Sequence, residues 1–108
     1  MTKRKRNHFA ESTRAILNVW KNKLNLDIDI DYGSIKWVSK FHGQINKLIK
    51  QYDNLGTRKN HYSILQKILN EVGPKKLYDK YHKIFENLRT EIDRQQSDNE
   101  PGFDNYLS

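Results

Sequence analysis

Apolar residues recur at spacings of three and four in four stretches of this chain, separated by turn-forming residues. That pattern predicts helices and a small helical core. The first helix is expected from about His8 to Lys23, with Phe9, Ala10, Ile16, Leu17 and Trp20 on its apolar face. A second is expected from the cap Ser34 to about Tyr52, carrying Trp37, Val38, Phe41, Ile45, Leu48, Ile49 and Tyr52 on one stripe. Gly43 inside it marks either a break or a close crossing. After the turn Asp53-Asn54-Leu55-Gly56, a third helix is expected from about Arg58 to Val72, capped by Thr57 and presenting Tyr62, Leu65, Ile68, Leu69 and Val72. Gly73-Pro74 ends it and opens a fourth, to about Gln95, with Leu77, Tyr81, Ile84, Phe85, Leu88 and Ile92 aligned.

One segment breaks the helical period. Leu24 to Tyr32 alternates apolar and polar residues, as a strand does. No second strand is evident to pair with it, so the segment is expected to be an extended connector with Leu26, Ile28 and Ile30 pinned on the core. The expected fold is therefore all-α: a compact bundle of about four helices over residues 8–95. A disordered basic arm (1–7) precedes it, and a flexible acidic tail or linker (96–108) follows.

Charge narrows the partners. The 108 residues hold 20 Lys+Arg against 13 Asp+Glu, a formal net charge of +7. Such an excess favours polyanions, nucleic acid before an anionic membrane surface. The excess is concentrated in the first 60 residues or so. Lys3, Arg4, Lys5 and Arg6 form a terminal cluster, while Lys36, Lys40, Lys47, Lys50, Arg58 and Lys59 face only Asp53 between Ile35 and Asn60. From Asp93 onward the chain is acidic.

The stretch Gly56-Thr57-Arg58-Lys59-Asn60 suggests a basic helix start, where exposed N–H groups and the helix dipole favour a phosphate. Arg58, Lys59 and Asn60 are thus the leading candidates for contact with a DNA backbone. Lys36, Lys40, Lys47 and Lys50 are further candidates on the preceding helix, and Lys3 to Arg6 would add non-specific affinity.

Other chemistries find little support. There is no cysteine, which excludes disulfides, thiolate metal sites and cysteine nucleophiles. Asp27, Asp29 and Asp31 open like a calcium loop, but Tyr32 and Val38 occupy the positions that need Gly and Glu. The four histidines lack metal-ligand spacing, and the glycines form no phosphate loop. Neither a catalytic residue, a metal site nor a cofactor is assigned. Trp20, Trp37, Tyr62, Tyr81 and Phe85 lie on apolar faces and are expected in the core rather than stacked on bases. No apolar run approaches the roughly 20 residues of a membrane span, and the N-terminus lacks the apolar stretch of a secretory signal. An intracellular protein is expected.

The pieces Ile35-Lys36-Trp37-Val38, Ile45-Asn46-Lys47-Leu48-Ile49, Thr57 to Leu65, Asp79-Lys80-Tyr81, Glu91 and Gln95-Gln96-Ser97 together resemble the core-binding domain of tyrosine recombinases. This is the helical, SAM-like domain that precedes the catalytic domain in phage-type integrases, here in the versions found in large DNA viruses and mobile elements. The resemblance runs from Tyr32 to about Ser97. It implies a DNA-binding module for recombination or integration, acting on duplex DNA, with Arg58, Lys59 and Asn60 matching the segment that approaches the backbone. It also implies a nuclear, viral-factory or virion location. The family's catalytic arginines and His-x-x-Arg box have no counterpart, and Tyr106 lacks the groups a nucleophile would need around it. The chain is thus expected to be non-catalytic, either a fragment or a stand-alone binding domain. The alternative is a protein-interaction or structural module whose fourth helix meets a second copy or a helical partner.

Overall fold

The computed structural model describes residues 7–98, with side chains through 95. Five helices and no strand occur among these residues: α1 Glu11–Lys23, α2 Trp37–Lys40, α3 His42–Lys50, α4 Leu55–Val72 and α5 Lys75–Asp98. The fold is all-helical, as the periodicity implies. The count rises from four because the second expected helix is cut at Phe41, whose φ of −104° and ψ of 19° leave the helical region. Its N–H closes α2 on the Trp37 carbonyl at 2.8 Å, and its own carbonyl starts α3 by accepting from Ile45 at 3.0 Å. Gly43, just after the break, has open space where a Cβ would stand, so no helix crosses there.

α1 begins three residues later than the apolar pattern suggests. The chain ahead of it is held across the molecule by the 29–33 turn. Asn7 donates its backbone N–H to the Asp31 carbonyl at 2.6 Å. Its side-chain amide donates to the carbonyls of Ile30 at 2.7 Å and Gly33 at 3.0 Å. Arg14 reinforces the junction, with its Nε 3.0 Å from Asp31 Oδ1. Asn7, the last residue of the expected arm, is thus tied to the 29–33 turn. Lys3, Arg4, Lys5 and Arg6 lie outside the described residues, as does the tail after Asp98. α5 itself runs three residues past the expected domain end at 95.

The alternating segment forms a connector. Ile30 is buried, and Leu26 and Ile28 pack against the core. Asn25 takes a φ of 55°, a left-handed conformation that asparagine tolerates. At Asp29 the connector turns. The Asp29 carboxylate accepts the N–H groups of Asp31 and Tyr32 at 2.9 and 3.0 Å. Its carbonyl accepts from Gly33 at 2.7 Å. A Cβ at Gly33 would run into that same carbonyl, so glycine is required by close approach.

α4 is the central element and packs against each of the other four helices. The core joins Leu17 and Trp20 of α1, Trp37 and Val38 of α2, and Ile45 and Ile49 of α3 to Tyr62, Leu65, Ile68 and Leu69 of α4. α5 lies along α4 as a helical hairpin, reached through Gly73 at a φ of 67° and Pro74. Of its stripe, Tyr81 is completely buried, while Leu77, Ile84, Phe85 and Leu88 are half-buried against the core. Burying a tyrosine requires a partner for its hydroxyl. His42 provides one, with Nδ1 2.8 Å from the Tyr81 oxygen.

Candidate nucleic-acid interface

The start of α4 differs from the expected one. Asn54, not Thr57, is the cap. It has an extended backbone (φ −77°, ψ 120°), and its Oδ1 accepts the Thr57 N–H at 3.0 Å. Asparagine is among the strongest N-cap residues. Gly56 and Thr57 are consequently helical, and Arg58 stands a full turn inside, its N–H bonded to the Asn54 carbonyl at 3.1 Å.

That shift decides what Arg58 does. Arg58, Tyr62, Leu65 and Leu69 follow at spacings of four, three and four, so the arginine extends the stripe that faces the core. Its guanidinium turns toward the end of α3. Nε donates to the Tyr52 carbonyl and an Nη to the Lys50 carbonyl, the latter at 2.9 Å. These carbonyls at the helix end lack the partners a continuing helix would supply, and a cation there also suits the negative end of the dipole. Arg58 is thus a brace between α3 and α4.

Consecutive helix residues fan out by about 100° each. Arg58, Lys59 and Asn60 therefore project in three directions and do not form one cluster. Lys59 is half-buried, whereas Asn60 is exposed and lines a groove against α1. The brace ties the start of α4 to the last turn of α3, where Lys47 and Lys50 are three residues apart. None of these three lysines has an ion-pair partner among the described residues. Lys36 and Lys40 bracket α2, with the Lys40 ammonium 5.6 Å from the centre of the Phe41 ring.

The nearby aromatic and histidine side chains serve the core. His61 is 6% exposed and accepts the Trp20 indole N–H on Nδ1 at 2.9 Å. The Tyr52 ring lies 4.9 Å away, centre to centre. This geometry fixes a neutral imidazole protonated on Nε2, and burial holds its pKa below the ordinary value. The His42 pKa is also lowered, by burial and by the Lys80 charge. Burial raises the Tyr62 phenol, an effect opposed by the Arg58 charge, and pushes Tyr81 up to about 12, with Tyr62 adding to it. The Tyr62 hydroxyl donates to Asn46, and its ring stacks on Tyr81 with centroids 6.2 Å apart.

The α1–α4 groove is not foreshadowed by any sequence motif. It is lined by Thr13 and Ser12 from the first turn of α1 and by Asn60, Ser63 and Lys67 from α4, and encloses about 360 Å³. Thr13 and Lys67 lie far apart along the chain, and no local pattern links them. Among the described residues, no helix is long and apolar enough to cross a membrane. Comparisons with protein-family models, curated proteins and solved structures found no match.

Proposed function

We propose that this domain is a non-catalytic DNA-binding module that grips the backbone of duplex DNA, in the manner the resemblance to recombinase core-binding domains implies. The observation that carries this reading is the lysine face at the α3–α4 junction. Lys47 and Lys50 on the last turn of α3, and Lys59 next to the arginine that ties α4 to that turn, have no carboxylate partners among the described residues, and Lys59 stands near the N-terminal end of an 18-residue helix whose dipole adds positive potential. Lysines in this arrangement bind phosphate as point charges and position a protein without reading base sequence. Arg58 supports the face by holding the two helix ends together. The alternative, a partner surface on α5, has less support because its apolar stripe already packs on α4 and the core.

Fluorescence anisotropy with a labelled AT-rich duplex tests the proposal. Binding should weaken steeply with salt. Replacing Lys47, Lys50 and Lys59 together by glutamine should lower affinity and reduce the slope of log K against log salt by about 3, close to 0.9 for each phosphate no longer neutralised. An affinity unchanged by salt or by the triple substitution would overturn it.

A further inference from the structure

We propose that the outer face of α5 is a second surface for the DNA backbone, centred on Lys76, Lys80 and Lys83. The three lysines follow at spacings of four and three on one helix, and all are exposed. At about 100° per residue they stand between about 100° and 160° round the helix from the buried Tyr81, on the side turned away from α4. Asn87, Thr90 and Arg94, also exposed, continue the same row at spacings of four, three and four. A strip without a carboxylate thus runs for about 27 Å along the helix, at about 1.5 Å per residue. That length spans several phosphates of one DNA strand, which follow every 3.4 Å or so along the duplex axis.

The carboxylates of α5 are set apart from this strip. Asp79, Glu86 and Asp93 recur every seven residues on a neighbouring row, and Glu86 is held by Arg89 at 3.2 Å. Asp79 stands within one turn of all three lysines, yet none of them has an ion-pair partner among the described residues. The Lys80 ammonium lies instead 5.3 Å from the centre of the Tyr81 ring. Beyond that ring the Tyr81 hydroxyl meets His42 Nδ1 at 2.8 Å. There the Lys80 charge adds to burial in lowering the imidazole pKa, so the positive field of the strip is not cancelled by Asp79. Free cations strung along one helix face suit a run of phosphates better than a single compact anion. Asp79 and Glu91 flank the strip and limit its strength. The inference rests on the reading of the domain as a DNA-binding module, and it adds contacts on an element other than α3 and α4.

The labelled duplex tests this surface when the parent is compared with the triple variant Lys76→Gln, Lys80→Gln, Lys83→Gln. All three side chains are exposed, so the variant should unfold at the parent's temperature. Its duplex affinity should fall by at least about tenfold at low salt, and the slope of log K against log salt should drop by about 3. Asp79→Asn should strengthen binding, because it removes the carboxylate nearest the strip. In the 15N-labelled full chain, the amides of residues 76–83 should shift along the duplex titration. Unchanged affinity and slope in the α5 variant, with both reduced when Lys47, Lys50 and Lys59 are replaced, would overturn this inference and leave the α3–α4 face standing. The reverse result would support the α5 surface and overturn the α3–α4 face. A parent chain that does not bind the duplex would overturn both.

Discussion

Replacing Arg58 by alanine separates a structural role from a phosphate contact. The substitution removes two hydrogen bonds from a charged donor to the Lys50 and Tyr52 carbonyls. Bonds to charged groups contribute about 1.5–3 kcal/mol each when shielded. The Tyr52 bond is partly buried and the Lys50 bond exposed, so solvent reduces both, and a total of about 2 kcal/mol is expected. For a domain of this size that lowers Tm by about 10 °C. Arg58→Lys should recover little of the loss, since an ammonium lacks the planar fork that reaches two carbonyls. Thermal and urea unfolding followed by circular dichroism would measure both variants, with duplex affinity recorded well below the transition. If Arg58→Ala left Tm within about 2 °C of the parent, well short of the shift expected for the lost bonds, while sharply weakening duplex binding, Arg58 would be a phosphate ligand and the brace argument would fail.

Two further predictions concern pH and glycine. His61 and His42 both have lowered pKa values, so the unfolded chain binds more protons in acid. Their contribution should be complete above the unfolded value of about 6.5 and decline as pH falls below it. Urea midpoints should drop between about pH 7.5 and 5, less so in His61→Gln, and a flat profile would contradict the buried neutral imidazole. Tyr81 works in the opposite direction: the unfolded phenol gives up its proton near pH 10 while the folded one keeps it to about 12, so native stability falls as pH climbs through that window. Of the glycines, Gly33→Ala should destabilise by more than about 1 kcal/mol because its Cβ meets the Asp29 carbonyl, whereas Gly43→Ala has open space and should stabilise α3 by about 0.5 kcal/mol. Equal effects at the two positions in chemical unfolding would refute that distinction.

Local spacing was enough to set the helical class, most of the core and the side of each element that is apolar. Tyr62, Leu65 and Leu69 must share a face on any helix that contains them, and Leu26, Ile28 and Ile30 alternate toward the core whether or not they pair as a strand. Even the orientation of Arg58 was legible, since it stands four residues before Tyr62 on the same stripe, although its charge suggested a solvent role. The packing of the helices settled the rest. The break at Phe41 leaves no mark in a stripe that would be continuous on a straight helix. Asn7 is ordered by carbonyls more than 20 residues away, and His61 is neutral because Trp20 donates to it from another helix. The groove between α1 and α4 requires Thr13 and Lys67 to come together. Periodicity records which side of an element is apolar, but it carries no information on which distant polar group will find a partner there, because that depends on how the helices pack.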